Sequence, residues 1–228
     1  MTIRGFLLLF LTISAFYSHS QTKNELLHWY DSLIGQPNEI STGIAYEPIY
    51  TINSHPFYTT KSWANGSLIY NGKEFNDVEL LFDISRQVLV LKDIYKGLTR
   101  SIELKSTSIN AFDLLGNSFE KLIVKEEPVF GMILYKGSDL LAHQIFSKNA
   151  EPAIDGSSFD YIETSYVRID TRGEKKDVYS LKQFVKLFPD QKNDIKTTVK
   201  SKKLMWENDE HKIILLKMLK NSLDANLD

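Results

Sequence analysis

Turn signals repeated at short intervals constrain this chain more than any other feature in it. They fall at Asn71-Gly72, Ser85-Arg86, Lys96-Gly97, Gly116-Asn117, Lys136-Gly137 and Arg172-Gly173, with short runs rich in Val, Ile, Leu, Phe and Tyr between them. Strands separated in this way form an antiparallel meander. Asn71-Gly72 is the strongest signal, because both residues tolerate the positive φ of a tight type I′ turn. The stretch from Phe57 to Glu127 contains no proline, as central strands require, since each must donate its N–H groups to the ladder. Six turns imply at least seven strands, and "GIAYEPIYTI" and "VYS" can bring the number to about eight to ten. A sheet of that size curls or closes, which also removes exposed edges. The expected fold is therefore mainly β (α+β), an antiparallel meander over 43–179 forming a strongly curved sheet or a barrel. Closed and half-open forms both fit the pattern.

Periodicity fills in this outline. In "VELLFDI", Val78, Leu80, Phe82 and Ile84 share one face and Glu79, Leu81 and Asp83 the other, a half-buried strand. In "RQVLVLKDI" four apolar residues, Val88 to Leu91, are consecutive, so this strand is covered on both sides and the terminal helices are the expected cover. Leu26, Trp29, Tyr30 and Leu33 recur at helical spacing behind a Thr22/Glu25 capping box, predicting a helix over 22–35. The segment 180–228 returns to that spacing. Ser180 and Gln183 cap a first helix that stops before Pro189, Asp190 caps a second reaching about Lys203, and Asn208 caps a third with Ile213, Leu215, Leu216, Leu219 and Leu223 on its apolar face. Such helices pack on the sheet or on each other.

Residues 1–20 divide like a secretory signal peptide, with Arg4, the apolar run Gly5–Phe16 and a polar tail ending at Ser20. That run is shorter than the roughly 20 residues needed to span a bilayer, so the expected product is an exported chain of one domain, 21–228, with no transmembrane segment after signal removal. No cysteine follows to take a lipid anchor, and none occurs anywhere among the 228 residues. The fold is held by packing, which suits a periplasmic or extracellular protein of the bacterial envelope better than a disulfide-rich eukaryotic module. Removing residues 1–20 takes away one cation and leaves a net charge of −3, without the basic excess a nucleic-acid partner calls for. Asn65-Gly66-Ser67 matches a glycosylation pattern, and in a bacterial chain reads as the turn leading into the first hairpin.

Motifs that carry chemistry are sparse. Neither a nucleophile elbow, a phosphate-binding loop, a dinucleotide fingerprint nor a zinc-protease helix motif occurs. His28, His55, His143 and His211 stand singly, without the bunching of metal ligands, and read as surface or satisfied core residues. The Asp155–Asp160 loop, "DGSSFD", has oxygen ligands that suit calcium but departs from the EF-hand order, and an Asp/Ser turn bonding its own backbone is the simpler reading. Lys192, Lys196 and Lys200, continued by Lys203, form a basic stripe able to meet an acidic partner or an anionic head group, or simply a solvated helix face. Aromatics make up 12% of the chain. Trp63, Tyr70, Phe75, Phe82, Tyr95, Phe112, Phe119, Phe130, Tyr135, Phe159, Tyr161 and Tyr166 either fill the core or line a site for an apolar ligand.

The run "GSLIYNGKEFNDVELLFDISRQVLVL" followed by "DVYSLKQFVKLFPDQKNDIKTTVKSKKL" resembles a group of small exported, uncharacterised β-rich proteins common in the Bacteroidota. The matching positions are Tyr70-Asn71-Gly72, Leu80-Leu81-Phe82-Asp83, Ser180, Lys182, Phe184, Phe188-Pro189, Lys192, Ile195 and Lys196. The resemblance implies export and fold, and transfers no catalytic residue, metal ligand or cofactor. The expectation is a non-enzymatic binding or interaction protein with an envelope protein as partner. Its alternatives are a carrier of an apolar ligand in the curved sheet and a hydrolase without a local motif.

Overall fold

The computed structural model describes residues 40–49, 54–152 and 159–224. The predicted signal peptide and the helix over 22–35, His28 included, lie outside them. Eleven strands form one sheet: β1 (Ile44–Ala45), β2 (Ala64–Tyr70), β3 (Lys73–Asp83), β4 (Val88–Tyr95), β5 (Leu98–Glu103), β6 (Ile109–Leu114), β7 (Asn117–Val124), β8 (Glu127–Lys136), β9 (Leu140–Pro152), β10 (Phe159–Thr171) and β11 (Glu174–Val178). Helices α1 (Leu181–Leu187), α2 (Lys192–Lys202) and α3 (Asp209–Asp224) follow.

Every strand pairing is antiparallel, in the order β1-β5-β4-β3-β2-β6-β7-β8-β9-β10-β11. The sheet is curved and not closed, which decides between the two forms the sequence left open. Its curvature follows from one connection. The order places four strand spacings between β5 and β6, about 19 Å in a flat sheet. The five linking residues contain a 3₁₀ turn at Ser106–Ser108 and cannot span that distance along with the offset between the strand ends. Only a rolled sheet brings the end of β5 to the start of β6.

Most expected turns are present, and the exceptions have local causes. Asn71-Gly72, Lys96-Gly97 and Arg172-Gly173 all take positive φ at both residues. The turn expected at Gly116-Asn117 lies one residue earlier, at Leu115-Gly116, because Asn117 already pairs with Leu114. A further hairpin turns at Lys125-Glu126, with φ 50° and 71°, and carries no glycine to announce it. Asn65, Gly66 and Ser67 are not a turn but lie inside β2, where Gly66 sits between Val78 and Leu114 beside a bulge.

Rings fill the inside of the curl. Phe82 meets Phe112, Phe119 and Phe130 edge-on at centroid distances of 5.3, 5.5 and 5.9 Å, and Phe112 stacks on Phe119 at 4.8 Å. Tyr58 closes the group against Phe119 and Phe146. Leu215, Leu216 and Leu219 of α3 and Phe184 of α1 are buried in the same core, so the C-terminal helices do pack on the sheet. The other face of β3 and β4 carries Leu81, Val88 and Val90, covered by Tyr46, Phe57 and Trp63. Among the described residues the C-terminal helices thus cover one face of these strands, as expected, and the segment preceding β2 covers the other.

Two caps form as the sequence predicts. Ser180 Oγ accepts from the Gln183 N–H at the start of α1, and Asn208 Oδ1 accepts from the His211 N–H at the start of α3. The reciprocal Gln183 bond runs to the Tyr179 N–H, not to Ser180. Asp190 is no cap: α2 begins after Gln191, which makes no side-chain capping bond, because Pro189, Asp190 and Gln191 are taken up by a turn closed from Lys192 N–H to the Pro189 carbonyl.

Candidate functional site

Between β9, β10 and the start of α3 lies a cavity of about 360 Å³. Strand alternation turns Gln144 on β9 and Ser165 on β10 toward the helices, while the first turn of α3 brings in Asp209 and Lys212. One chain of hydrogen bonds links the buried Gln144 and Lys212 to the exposed Ser165 and the half-exposed Asp209. Gln144 Nε2 donates to Ser165 Oγ at 2.7 Å; Lys212 Nζ donates to Gln144 Oε1 at 2.9 Å and to Asp209 Oδ1 at 2.7 Å. Gln144 is 1% and Lys212 4% exposed. A buried ammonium is costly unless it is paired and hydrogen-bonded, and the carboxylate and amide together meet that need.

Three aromatic residues, Trp206, Tyr166 and Tyr179, border the cavity. Trp206 lies 5.8 Å from Lys212 Nζ at its centroid, and Tyr166 and Tyr179 stand 5.2 Å apart. Burial, and after it the charge of Asp177, pushes the Tyr166 hydroxyl above its ordinary value, so it is a neutral donor at physiological pH. Glu163 and Glu207 supply carboxylates at the mouth, and Glu163 also meets Lys148 at 3.4 Å. The arrangement gathers hydrogen-bond donors and acceptors, aromatic residues and carboxylates around one cavity whose buried members are Gln144 and Lys212.

A second polar cluster lies on the face turned away from the aromatic core. His143 Nε2 is 2.6 Å from Glu120 Oε1, and Lys136 Nζ donates to Glu120 Oε2 at 2.8 Å. Burial holds the imidazole below its usual range despite the adjacent carboxylate. Burial alone would raise Glu120, but the bonds from Lys136 and His143 prevail and hold it below the usual carboxylate range. His143 is 2% exposed, and in the place where a side chain at Gly131 would stand, Leu122 and His143 crowd together. This is a satisfied core histidine.

A third feature is a cavity of about 600 Å³ beside β1, lined by Ile44, Tyr70, Leu104 and Lys105 among others. Tyr70 is buried at 6% and belongs to the main core.

The remaining sequence candidates do not converge. His55 stacks on Phe57 at 6.0 Å, and burial, then the nearby Lys148, keeps its ring below the usual range. His211 Nδ1 accepts from the Met205 N–H. Asp155–Ser158 of the acidic loop lie outside the described residues, while Asp160 accepts from Ser54 Oγ at 3.4 Å. Among the described residues no group of three or more His, Asp or Glu side chains gathers in a way that could hold a metal, and no helix is long and apolar enough to cross a membrane. Lys192, Lys196 and Lys200 are exposed. Of the aromatics, Phe82, Phe112, Phe119 and Phe130 fill the core, Tyr166 lines the polar cavity and Phe159 is 57% exposed.

Sequence reasoning did not find the Lys212 site. Its one local signal is a lysine at 212 on the face carrying Leu215, Leu216 and Leu219, a charge where the helical period demands an apolar residue. Compared with family models, with curated proteins and with solved structures, the chain matches none.

Proposed function

We propose that the protein is an exported, non-enzymatic binding protein of the bacterial envelope, taking a small polar ligand, or a polar side chain of an envelope partner, into the cavity floored by Lys212. What supports the reading is preorganisation. Ser165, Gln144, Lys212 and Asp209 hold one another in place, so a ligand meets donors and acceptors already oriented, which lowers the entropic cost of binding. The volume falls within the range of ligand sites.

The test is native mass spectrometry on protein isolated from its own cells, comparing wild type with Tyr179→Ala and Lys212→Met. Tyr179 is 59% exposed, so its truncation spares the fold. A bound mass present in the wild type and reduced in both variants is expected. Retention of that mass by both, or no bound mass in the wild type together with no thermal shift across amino acids, sugars and short peptides, would count against the pocket.

The carrier reading keeps one specific support, the cavity beside β1, where Ile44 is 71% exposed next to Leu104 and Tyr70. Extraction of native-source protein with organic solvent should release lipid under that reading and none if the Lys212 cavity alone is occupied.

A further inference from the structure

The chain carries its charge unevenly. From Ser180 to Leu204 there are seven lysines and two aspartates, a net charge of +5, in a molecule whose total is −2. The remainder therefore carries −7. Lys182 and Lys186 on α1, Lys192, Lys196, Lys200 and Lys202 on α2, and Lys203 after it are all exposed. None of the seven meets a carboxylate among the described residues, whereas Arg86, Lys92, Arg100, Lys136 and Arg168 on the sheet each do. Ile195 is fully buried on α2, and the spacing of Lys192, Lys196 and Lys200 runs them along one flank of that helix.

We infer that α1 and α2 form a surface that adsorbs the protein to an anionic lipid bilayer. The chemistry of the patch selects this partner over a protein. It holds lysine and no arginine, and lysine is a hydrated point charge on a flexible stem, suited to a diffuse field of head groups and poorly suited to bidentate pairing with fixed carboxylates. Protein interfaces are depleted in lysine and anchored by aromatic, Met and Arg side chains. Between Leu181 and Leu204 no large apolar side chain is exposed. Attachment without apolar insertion is peripheral and reversed by salt. The inference goes beyond the pocket and does not depend on it.

Flotation with phosphatidylglycerol–phosphatidylethanolamine vesicles and with neutral phosphatidylcholine vesicles tests it, the readout being the ratio of binding to the two. That ratio cancels any contribution of the apolar run Gly5–Phe16. The wild-type chain should prefer the anionic vesicles at low salt and release on raising salt. The triple substitution Lys192→Gln, Lys196→Gln and Lys200→Gln should lower the preference about 100-fold, from about one kcal/mol per lysine. Reversal to Glu at the same three positions should lower it further, with circular dichroism showing both variants folded. Equal binding of the wild type to both vesicle types, or an undiminished preference in a folded triple variant, overturns the inference. So does tighter binding to duplex DNA or to polyglutamate than to the anionic vesicles at the same salt.

Discussion

Gln87 shows how much one side chain can settle. It sits at φ 55° in the turn between β3 and β4, yet its amide acts as a piece of strand. The β8–β9 ladder runs only as far as Gly131 and Ile145. At the next step Gln87 Oε1 accepts from the Phe130 N–H at 3.1 Å, while Nε2 donates to the Phe146 carbonyl at 2.8 Å and to the Ile84 carbonyl at 3.1 Å. The β3–β4 hairpin is thereby pinned across the parting of β8 and β9. Gln87→Ala should lower unfolding free energy by about 3 kcal/mol, since buried backbone groups lose their partners, measured as a shift of the urea midpoint at constant slope. Gln87→Glu keeps an acceptor for Phe130 but sets an anion against two carbonyls, so its stability deficit relative to the wild type should shrink on acidification while that of Gln87→Ala does not. Two variants with the same pH response would remove the amide from this role. No local pattern announces such a residue, because a glutamine in a turn reads as solvent-facing. Lys212 differs in that its conflict with the apolar stripe of α3 was visible in the sequence.

At the scale of elements, legibility tracks how local the cause is. Asn71-Gly72 and Arg172-Gly173 were readable because glycine answers a backbone need within the turn itself. Lys125-Glu126 was not, since there the flanking strands impose positive φ on residues with no preference for it. Cover on both sides of Val88 to Leu91 was called for by the consecutive apolar residues, but Leu81 as part of the covered face, and Tyr46, Phe57 and Trp63 as the source of that cover, follow only from tertiary packing. Capping gives the sharpest contrast. Ser180 and Asp190 look equivalent as cap residues in the sequence, yet only Ser180 bonds a helix N–H. Ser180→Ala should destabilise by about 1 kcal/mol, and Asp190→Ala should change stability by less than about 0.5 kcal/mol, as an exposed position without such a role does. Chemical denaturation of the two single variants measures both, and equal losses would contradict the cap assignment.

For the whole molecule, the shifted groups define the pH range in which the fold is most stable. His143 and His55 hold their protons less tightly folded than unfolded, chiefly because they are buried. Below about pH 6.5, the ordinary histidine value, the unfolded chain therefore binds more protons, so stability falls as pH drops through the lowered folded values. Glu120, also lowered, contributes in the same direction further down, its share present above about pH 4.3 and lost as pH falls through its own folded value. Tyr46, Tyr58 and Tyr166 are raised, with burial the leading cause in each and a bond to Asp83 adding to it at Tyr46. Their contribution is whole below about pH 10 and declines as the unfolded phenols ionise above it. Unfolding free energy should thus be flat between about pH 6.5 and 10 and fall on both sides. The first part of the acid limb belongs to the histidines. In His143→Gln, where an amide can still donate to Glu120, that part should shrink, and adding His55→Gln should move its onset toward the carboxylate range. An unchanged onset near pH 6.5 in the double variant would show that neither ring governs acid stability.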